Sequence, residues 1–136
     1  MLGINLIEVA AAGVVAMILG AIWYGPLFGK QWMQFAGITQ TDMENAKQKG
    51  MAKSYAFGLV GQLLTAYVLA YLISLTGSYS LQTLIPLVGW IWLGLVVPIL
   101  LGSVLWEGKS WKLFFLNGVY NLVTLMVMGL VIMYLA

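Results

Sequence analysis

Residues 84–105 read LIPLVGWIWLGLVVPILLGSVL, an unbroken apolar stretch without a charged side chain. Three more apolar stretches accompany it, and we predict helices over residues 4–24, 55–75, 84–105 and 113–135. Each is about 21–23 residues long, or roughly 32–35 Å of helix, which is enough to cross the apolar core of a bilayer. The sequence therefore predicts an all-α, polytopic membrane protein with four transmembrane helices.

The composition excludes most soluble folds. Of the 136 residues, 62% are hydrophobic and 7% are charged, whereas a soluble domain carries about 25% charged residues. So much apolar surface cannot be hidden in a water-soluble fold of this size, so lipid is the expected solvent. We predict a single transmembrane domain over residues 1–136.

The residue types also argue against catalysis and metal binding. The chain has no cysteine and no histidine, so a disulfide, a thiolate metal site and a histidine dyad are all excluded. The four carboxylates form no paired acid–base arrangement within a span; they are Glu8, Asp42, Glu44 and Glu107. We expect no enzyme activity, no metal and no cofactor.

The basic residues predict the orientation in the membrane. All six are lysines, and they occur only in the first and third connections: Lys30, Lys47, Lys49, Lys53, Lys109 and Lys112. Short loops rich in lysine stay in the cytoplasm. We therefore expect a multi-pass protein of the cell (plasma) membrane with both termini outside the cytoplasm. The net charge of +2 follows from topology and does not indicate a nucleic-acid partner.

Tryptophans cluster at the ends of the helices that carry the lysines. An indole ring suits the headgroup layer because it is both apolar and a hydrogen-bond donor. We predict that the following residues anchor the cytoplasmic interface: Trp23, Lys30, Trp32, Trp106, Lys109, Trp111 and Lys112.

The two halves of the chain look like copies of one hairpin. Val14-Val15 precedes Leu19-Gly20 in the first half, as Val96-Val97 precedes Leu101-Gly102 in the second. Two hairpins that each cross twice keep the same orientation, so a pseudo-two-fold axis along the membrane normal is predicted. Gln62 and Asn121 would then be symmetry mates.

The extra residues of the first connection predict a short surface segment near residues 37–53. Thr41 and Glu44 have the spacing of a capping box. The lysines of this segment suit an anionic lipid surface. A plain linker that continues into the second helix is the alternative.

Three prolines predict irregular backbone. Pro26 is expected to end the first helix, and Pro86 is expected in the first turn of the third. Pro98 lies within the third apolar stretch, where it is expected to kink the helix.

Small residues predict where the first helix packs most closely. Ala12, Ala16 and Gly20 recur every four positions. This spacing places them on one face and lets a neighbouring backbone approach.

Five polar side chains interrupt the apolar spans. They are Gln62, Thr65, Asn117, Asn121 and Thr124. Two interpretations stay open: hydrogen bonds between helices, worth about 0.6–2 kcal/mol each, or the lining of a small-molecule or ion path. The members on the fourth helix share one face.

Glu8 is the most unusual single residue, because a carboxylate at the centre of a membrane helix costs about 2.5–3.5 kcal/mol. It lies near the start of its span, so the cost is lower. Three outcomes compete: exposure to outer water, a protonated structural carboxyl, or a proton or cation site.

Two stretches together resemble a known family. WYGPLFGKQW occupies residues 23–32, and WEGKSWKLF at residues 106–114 leads to NGVY at residues 117–120. The pair resembles the domain-of-unknown-function family 1761, which consists of small membrane proteins with four predicted helices. The resemblance implies the fold and implies no activity or catalytic residue.

Two functions are consistent with these observations. The first is a small multi-pass membrane protein that acts by association with lipid, itself or another membrane subunit. The alternative is an oligomeric transporter or channel for a small solute or cation, with a path lined by Gln62, Asn117 and Asn121. Membrane lipid is the expected partner, and a homo-oligomer is a further candidate.

Overall fold

The computed structural model describes residues 4–136, and within them the fold is all-helical, without a strand. Four helices are long and apolar enough to cross a membrane, and we call them the first to fourth spans: Leu6–Leu27, Ala52–Thr76, Leu81–Leu105 and Trp111–Leu135. In chain order the helices are α1 (Leu6–Ile22), α2 (Gly29–Ala36), α3 (Gln40–Lys49), α4 (Ala52–Thr76), α5 (Leu81–Ile91), α6 (Val97–Leu105) and α7 (Trp111–Leu135). The predicted all-α fold class is confirmed.

The first span ends where the sequence places Gly25 and Pro26. After α1 the chain forms a π-helical turn over Trp23–Leu27, and Gly25 leaves helical geometry at φ −108° and ψ −105°. Pro26 has no N–H with which to continue the helical hydrogen bonds. The predicted break is confirmed.

The first connection contains the separate helices α2 and α3. Thr39 caps α3: its hydroxyl accepts from the Asp42 N–H at 3.1 Å, and its own N–H donates to the Asp42 carboxylate at 2.9 Å. The bond from the Thr39 N–H, followed by the Thr39 hydroxyl beside the carboxylate, lowers the pKa of Asp42. The capping residue is therefore Thr39 and not the predicted Thr41, because Thr41 already lies inside the helix.

The third span begins earlier than predicted and is interrupted in its middle. The Thr83 hydroxyl accepts from the Ser80 N–H at 3.3 Å, which allows the helix to begin at Leu81. Pro86 therefore lies in the second turn and not in the first. A π-helical turn over Trp92–Val96 separates α5 from α6 just before Pro98, which is the kind of irregularity expected there.

The first span packs against two other helices. It contacts both α4 and α7, whereas α5 and α6 contact mainly α7. Ala12 and Ala16 are fully buried, and a Cβ added to Gly13 would lie 2.5 Å from Leu63 Cδ2. These small side chains let the backbones approach closely, so the predicted role of Ala12 and Ala16 is confirmed.

Candidate functional site

Four of the five polar residues predicted within the spans line one pocket of about 270 Å³ between α4 and α7. They are Gln62, Thr65, Asn121 and Thr124. We call this the polar pocket. Gly58, Gly61 and Thr65 are exposed, so the pocket opens on the outer surface of the bundle.

The hydrogen bonds in the polar pocket stay within single helices. Thr65 donates to Gly61 O at 3.1 Å, Thr124 to Tyr120 O at 2.7 Å, and the Asn121 amide to Asn117 O at 2.8 Å. Within residues 4–136 the Gln62 amide has no hydrogen-bond partner and the Asn121 amide oxygen accepts no hydrogen bond. The pocket therefore presents free donors and acceptors beside an apolar surface.

Apolar residues continue this surface along α4. A groove of about 240 Å³ shares Thr65 and Leu125 with the polar pocket and lies between α4 and the third span. Val68 and Leu72 of α4 form one wall, and Leu95 of the third span lies opposite. The polar pocket is thus one end of a longer groove on the side of the bundle.

The Asn117 side chain does not line the polar pocket and instead joins α7 to the first span. The Tyr24 hydroxyl donates to Asn117 Oδ1 at 2.5 Å. Tyr24 also contacts Tyr120 edge-on, with ring centroids 4.9 Å apart, and Trp32 at 5.7 Å. The π-helical turn places Tyr24 against α7, and residues 23–32 thereby meet residues 117–120. Sequence reasoning missed this bond, since its partners are 93 positions apart.

A second pocket, of about 360 Å³, lies beside this aromatic contact. Its walls combine aromatic rings, methionines and glycines from α1, α2, α3, α4 and α7: Met17, Gly20, Ala21, Tyr24, Gly25, Trp32, Met43, Met51, Tyr55 and Tyr120. We call it the aromatic pocket. It lies at the lysine-bearing end of the bundle, because it takes residues from both α2 and α3.

Glu8 lies at the opposite end and lines neither pocket. The residue as a whole is only 7% exposed, which counts against wide exposure to outer water. Asn5, three residues before Glu8, accepts a hydrogen bond from the Ile7 N–H at 2.9 Å and caps α1. A protonated structural carboxyl and a proton or cation site both stay open for Glu8.

The predicted interface anchors divide into exposed and buried residues. Trp106 and Trp111 are 86% and 52% exposed, and Lys30 and Lys109 are exposed as well. The prediction that Trp23 anchors the interface is wrong. The π-helical turn directs its side chain inward, where it packs on Phe28 and Tyr120. Its indole N–H is buried and has no acceptor within the described part of the chain.

The other two anchors help to join the first and third connections. Trp32 is partly buried against Tyr24. Lys112 Nζ lies 5.7 Å from the centroid of the Phe35 ring, and Ser110 donates to Phe35 O at 3.2 Å. These contacts bring all the lysine-bearing segments to one end of the bundle.

Comparison with known proteins gives one match. A family model described as protein of unknown function (DUF1761) matches residues 7–133. No curated protein and no solved structure matches the chain significantly.

Proposed function

The chain belongs to the DUF1761 family of proteins of unknown function, and we propose that it acts by association within the bilayer, through its polar pocket, and not by catalysis. Lipid, a second copy or another membrane subunit are the partners that the fold accommodates. The observation that carries the proposal is the free Gln62 amide on the side of the bundle.

An unpaired amide at this position is costly in lipid. Gln62 and Asn121 lie well inside their helices, where water does not reach a lipid-facing surface, and an unpaired polar group in an apolar medium costs several kcal/mol. A second helix that supplies polar atoms removes this cost. Hydrogen bonds between membrane helices contribute about 0.6–2 kcal/mol each.

The same surface lets another backbone approach closely. A Cβ added to Gly61 would have no neighbour within 4 Å, and Gly58 is exposed on the same side. Small residues beside a polar side chain are typical of helix–helix interfaces in membranes. We therefore favour a second copy, in a two-fold dimer that pairs the polar pockets.

The test compares two glycines of equal openness. Gly61→Leu blocks the mouth of the polar pocket, and Gly94→Leu adds the same side chain on the third span, where an added Cβ also meets nothing within 4 Å. Single-molecule photobleaching in liposomes over a range of protein densities measures the dimer fraction. We expect Gly61→Leu to lower it strongly and Gly94→Leu to leave it unchanged.

Gln62→Leu refines the test, since it removes the amide and keeps the apolar volume. Loss of one or two interhelical hydrogen bonds is expected to weaken the dimer about three- to twentyfold. Self-association would be contradicted if the parent were monomeric at every density. Equal effects of Gly61→Leu and Gly94→Leu would also contradict it.

The alternative function is an oligomeric transporter or channel, and the free amides of the polar pocket favour it too. Asn117 is bonded to Tyr24 and Ala12, Ala16 and Met128 fill the bundle centre, so the path would run between copies. Flux of ions and small solutes into liposomes, measured for the parent, Asn121→Ala and Glu8→Gln, tests it. If the parent shows flux and either variant abolishes it, transport would replace association as the proposed function.

We also propose the membrane placement that the lysines predict: a plasma-membrane protein with both termini outside the cytoplasm. The meeting of the lysine-bearing connections at one end of the bundle supports this topology. A tag at either terminus that is reached only from the cytoplasmic side would contradict it.

The internal repeat is a proposal as well. Gln62 and Asn121, the suggested symmetry mates, line the same pocket, as residues close to a pseudo-two-fold axis would. The two hairpins differ in packing around that axis, because the first span contacts both α4 and α7 and the third contacts mainly α7.

A further inference from the structure

We propose that the aromatic pocket binds an anionic phospholipid from the leaflet on the lysine-bearing side. The site is separate from the polar pocket and does not depend on the function proposed for it. The acyl chain of the phospholipid would occupy the pocket, and the phosphate of its headgroup would contact lysines at the rim.

The walls of the pocket suit an acyl chain. Met17, Met43 and Met51 supply flexible thioether side chains that adapt to an apolar ligand. The volume of about 360 Å³ lies within the range of small-ligand sites, about 300–1,000 Å³. Ala21 and Tyr55 are exposed, so the pocket opens towards the surrounding lipid.

The frame of the pocket is held in place without a ligand. The hydrogen bond from Tyr24 to Asn117 and the edge contact with Tyr120 fix two aromatic walls. Gly20 makes room for Tyr120, because a Cβ there would lie 2.8 Å from the Tyr120 hydroxyl oxygen. A pre-formed cavity spares the ligand the cost of ordering the site.

The charge at the rim favours an anion over a cation. Lys47 follows Met43 by one turn of α3 and therefore lies on the same face of that helix, and Lys49 lies two residues before Met51. Both lysines are exposed. Carboxylates in the same connection are fewer: Asp42 and Glu44 against four lysines. Each lysine near a membrane surface strengthens binding to anionic headgroups by about a factor of five at physiological salt.

The experiment uses the full-length protein in mild detergent with equal amounts of phosphatidylglycerol and phosphatidylcholine that carry identical acyl chains. Native mass spectrometry counts the retained lipids. We expect one phosphatidylglycerol to be retained at least fivefold over phosphatidylcholine. Equal retention of the two lipids would overturn the proposal.

Two pairs of variants locate the site. Ala21→Phe fills the pocket, and its control Val14→Phe adds the same ring on the exposed side of the same helix. Lys47→Gln with Lys49→Gln removes rim charge, and Lys109→Gln removes one lysine from the third connection. We expect loss of the retained lipid with Ala21→Phe and about a 25-fold weakening with the rim pair, and little change in either control.

Two further results would overturn the proposal. One is equal lipid loss in Ala21→Phe and Val14→Phe, and the other is equal weakening by the rim pair and by Lys109→Gln. If circular dichroism shows that Ala21→Phe is unfolded, the comparison of the rim pair with Lys109→Gln tests the proposal by itself. Glycerol phosphate serves as the headgroup without a tail: competition by it at equal concentration would show that the apolar pocket contributes nothing.

Discussion

The first and third spans are nearly equal in apolarity and very different in packing. Over an 18-residue window of each span the mean hydropathies are 2.2 and 2.4, yet 33% of the window is buried inside the bundle in the first span and only 11% in the third. Ala12 and Ala16 of the first span are fully buried, whereas Ile99 of the third is 75% exposed. Hydropathy thus indicates which segments enter lipid, and small residues decide which of them pack against other helices.

The third span uses different contacts to stay attached. Leu84 is fully buried and packs over Gly129 of α7, and the Trp92 indole donates to Gly118 O at 2.8 Å. These contacts lie on one side of the span, so its other side is left to lipid or to a partner. The two spans can therefore be distinguished by the kind of substitution that disturbs each.

The largest effect is expected where small residues are buried. Ala16→Leu adds three carbons to a fully buried site and is expected to destabilise the bundle by about 3 kcal/mol, the upper part of the usual range for overpacking. Thermal unfolding in detergent, followed by circular dichroism, measures the change.

The matched change on the third span is Gly94→Leu, which is expected to lie within about 0.5 kcal/mol of the parent because the site is open. Equal destabilisation by Ala16→Leu and Gly94→Leu would mean that the two spans are packed alike and that the comparison fails.

A smaller effect is expected at the contact that fixes the third span. A Cβ at Gly129 would lie 2.8 Å from Leu84 Cδ1, so Gly129→Ala requires Leu84 to move. Overpacking of this kind costs about 1–3 kcal/mol, and the better helix propensity of alanine offsets up to about 1 kcal/mol. We expect a net loss of about 1 kcal/mol in the same unfolding measurement.

Gly89→Ala is the control for this contact, since an added Cβ there has nothing within 4 Å. It is expected to be neutral or slightly stabilising. A Gly129→Ala variant as stable as Gly89→Ala would show that Leu84 is free to move and that the third span is held mainly by Trp92.

The sequence predicts the helices well because their signals are local. Hydropathy locates the four spans, Pro26 marks the end of the first, and the spacing of Ala12 and Ala16 marks its packed face. The signal for the cap of α3 is also local, but the predicted capping residue was wrong. Thr39 and Thr41 both precede a carboxylate by three residues. Only the backbone conformation at Thr39, which is extended, decides between them.

The candidate sites were harder to predict because their contacts are long-range. The polar residues were identified, but the separation of Asn117 from Gln62 depends on Tyr24, which reaches α7 only because the backbone departs from the helix at Gly25. The same turn buries Trp23, which composition alone assigns to the interface. The aromatic pocket takes residues from five helices, and no single stretch of sequence carries its signal.

The smallest expected effects compare one hydrogen bond from each span. Tyr24→Phe removes the bond from the first span to Asn117, and Trp92→Phe removes the bond from the third span to Gly118 O. Hydrogen bonds between membrane helices average about 0.6 kcal/mol, with a maximum near 1.7 kcal/mol. We expect Tyr24→Phe to cost more, because it leaves the partly buried Asn117 amide oxygen without its donor. The Gly118 carbonyl, by contrast, keeps its place in the backbone hydrogen bonds of α7.

Trp90→Phe controls for the smaller ring of the Trp92 variant, since Trp90 is 73% exposed and is expected to tolerate the change. The ordering Tyr24→Phe above Trp92→Phe above Trp90→Phe, read from thermal unfolding, supports the view that the first span carries the more costly contacts. A larger loss for Trp92→Phe than for Tyr24→Phe would reverse the comparison. The third span would then depend on a single indole for an attachment that the first span spreads over many small buried side chains.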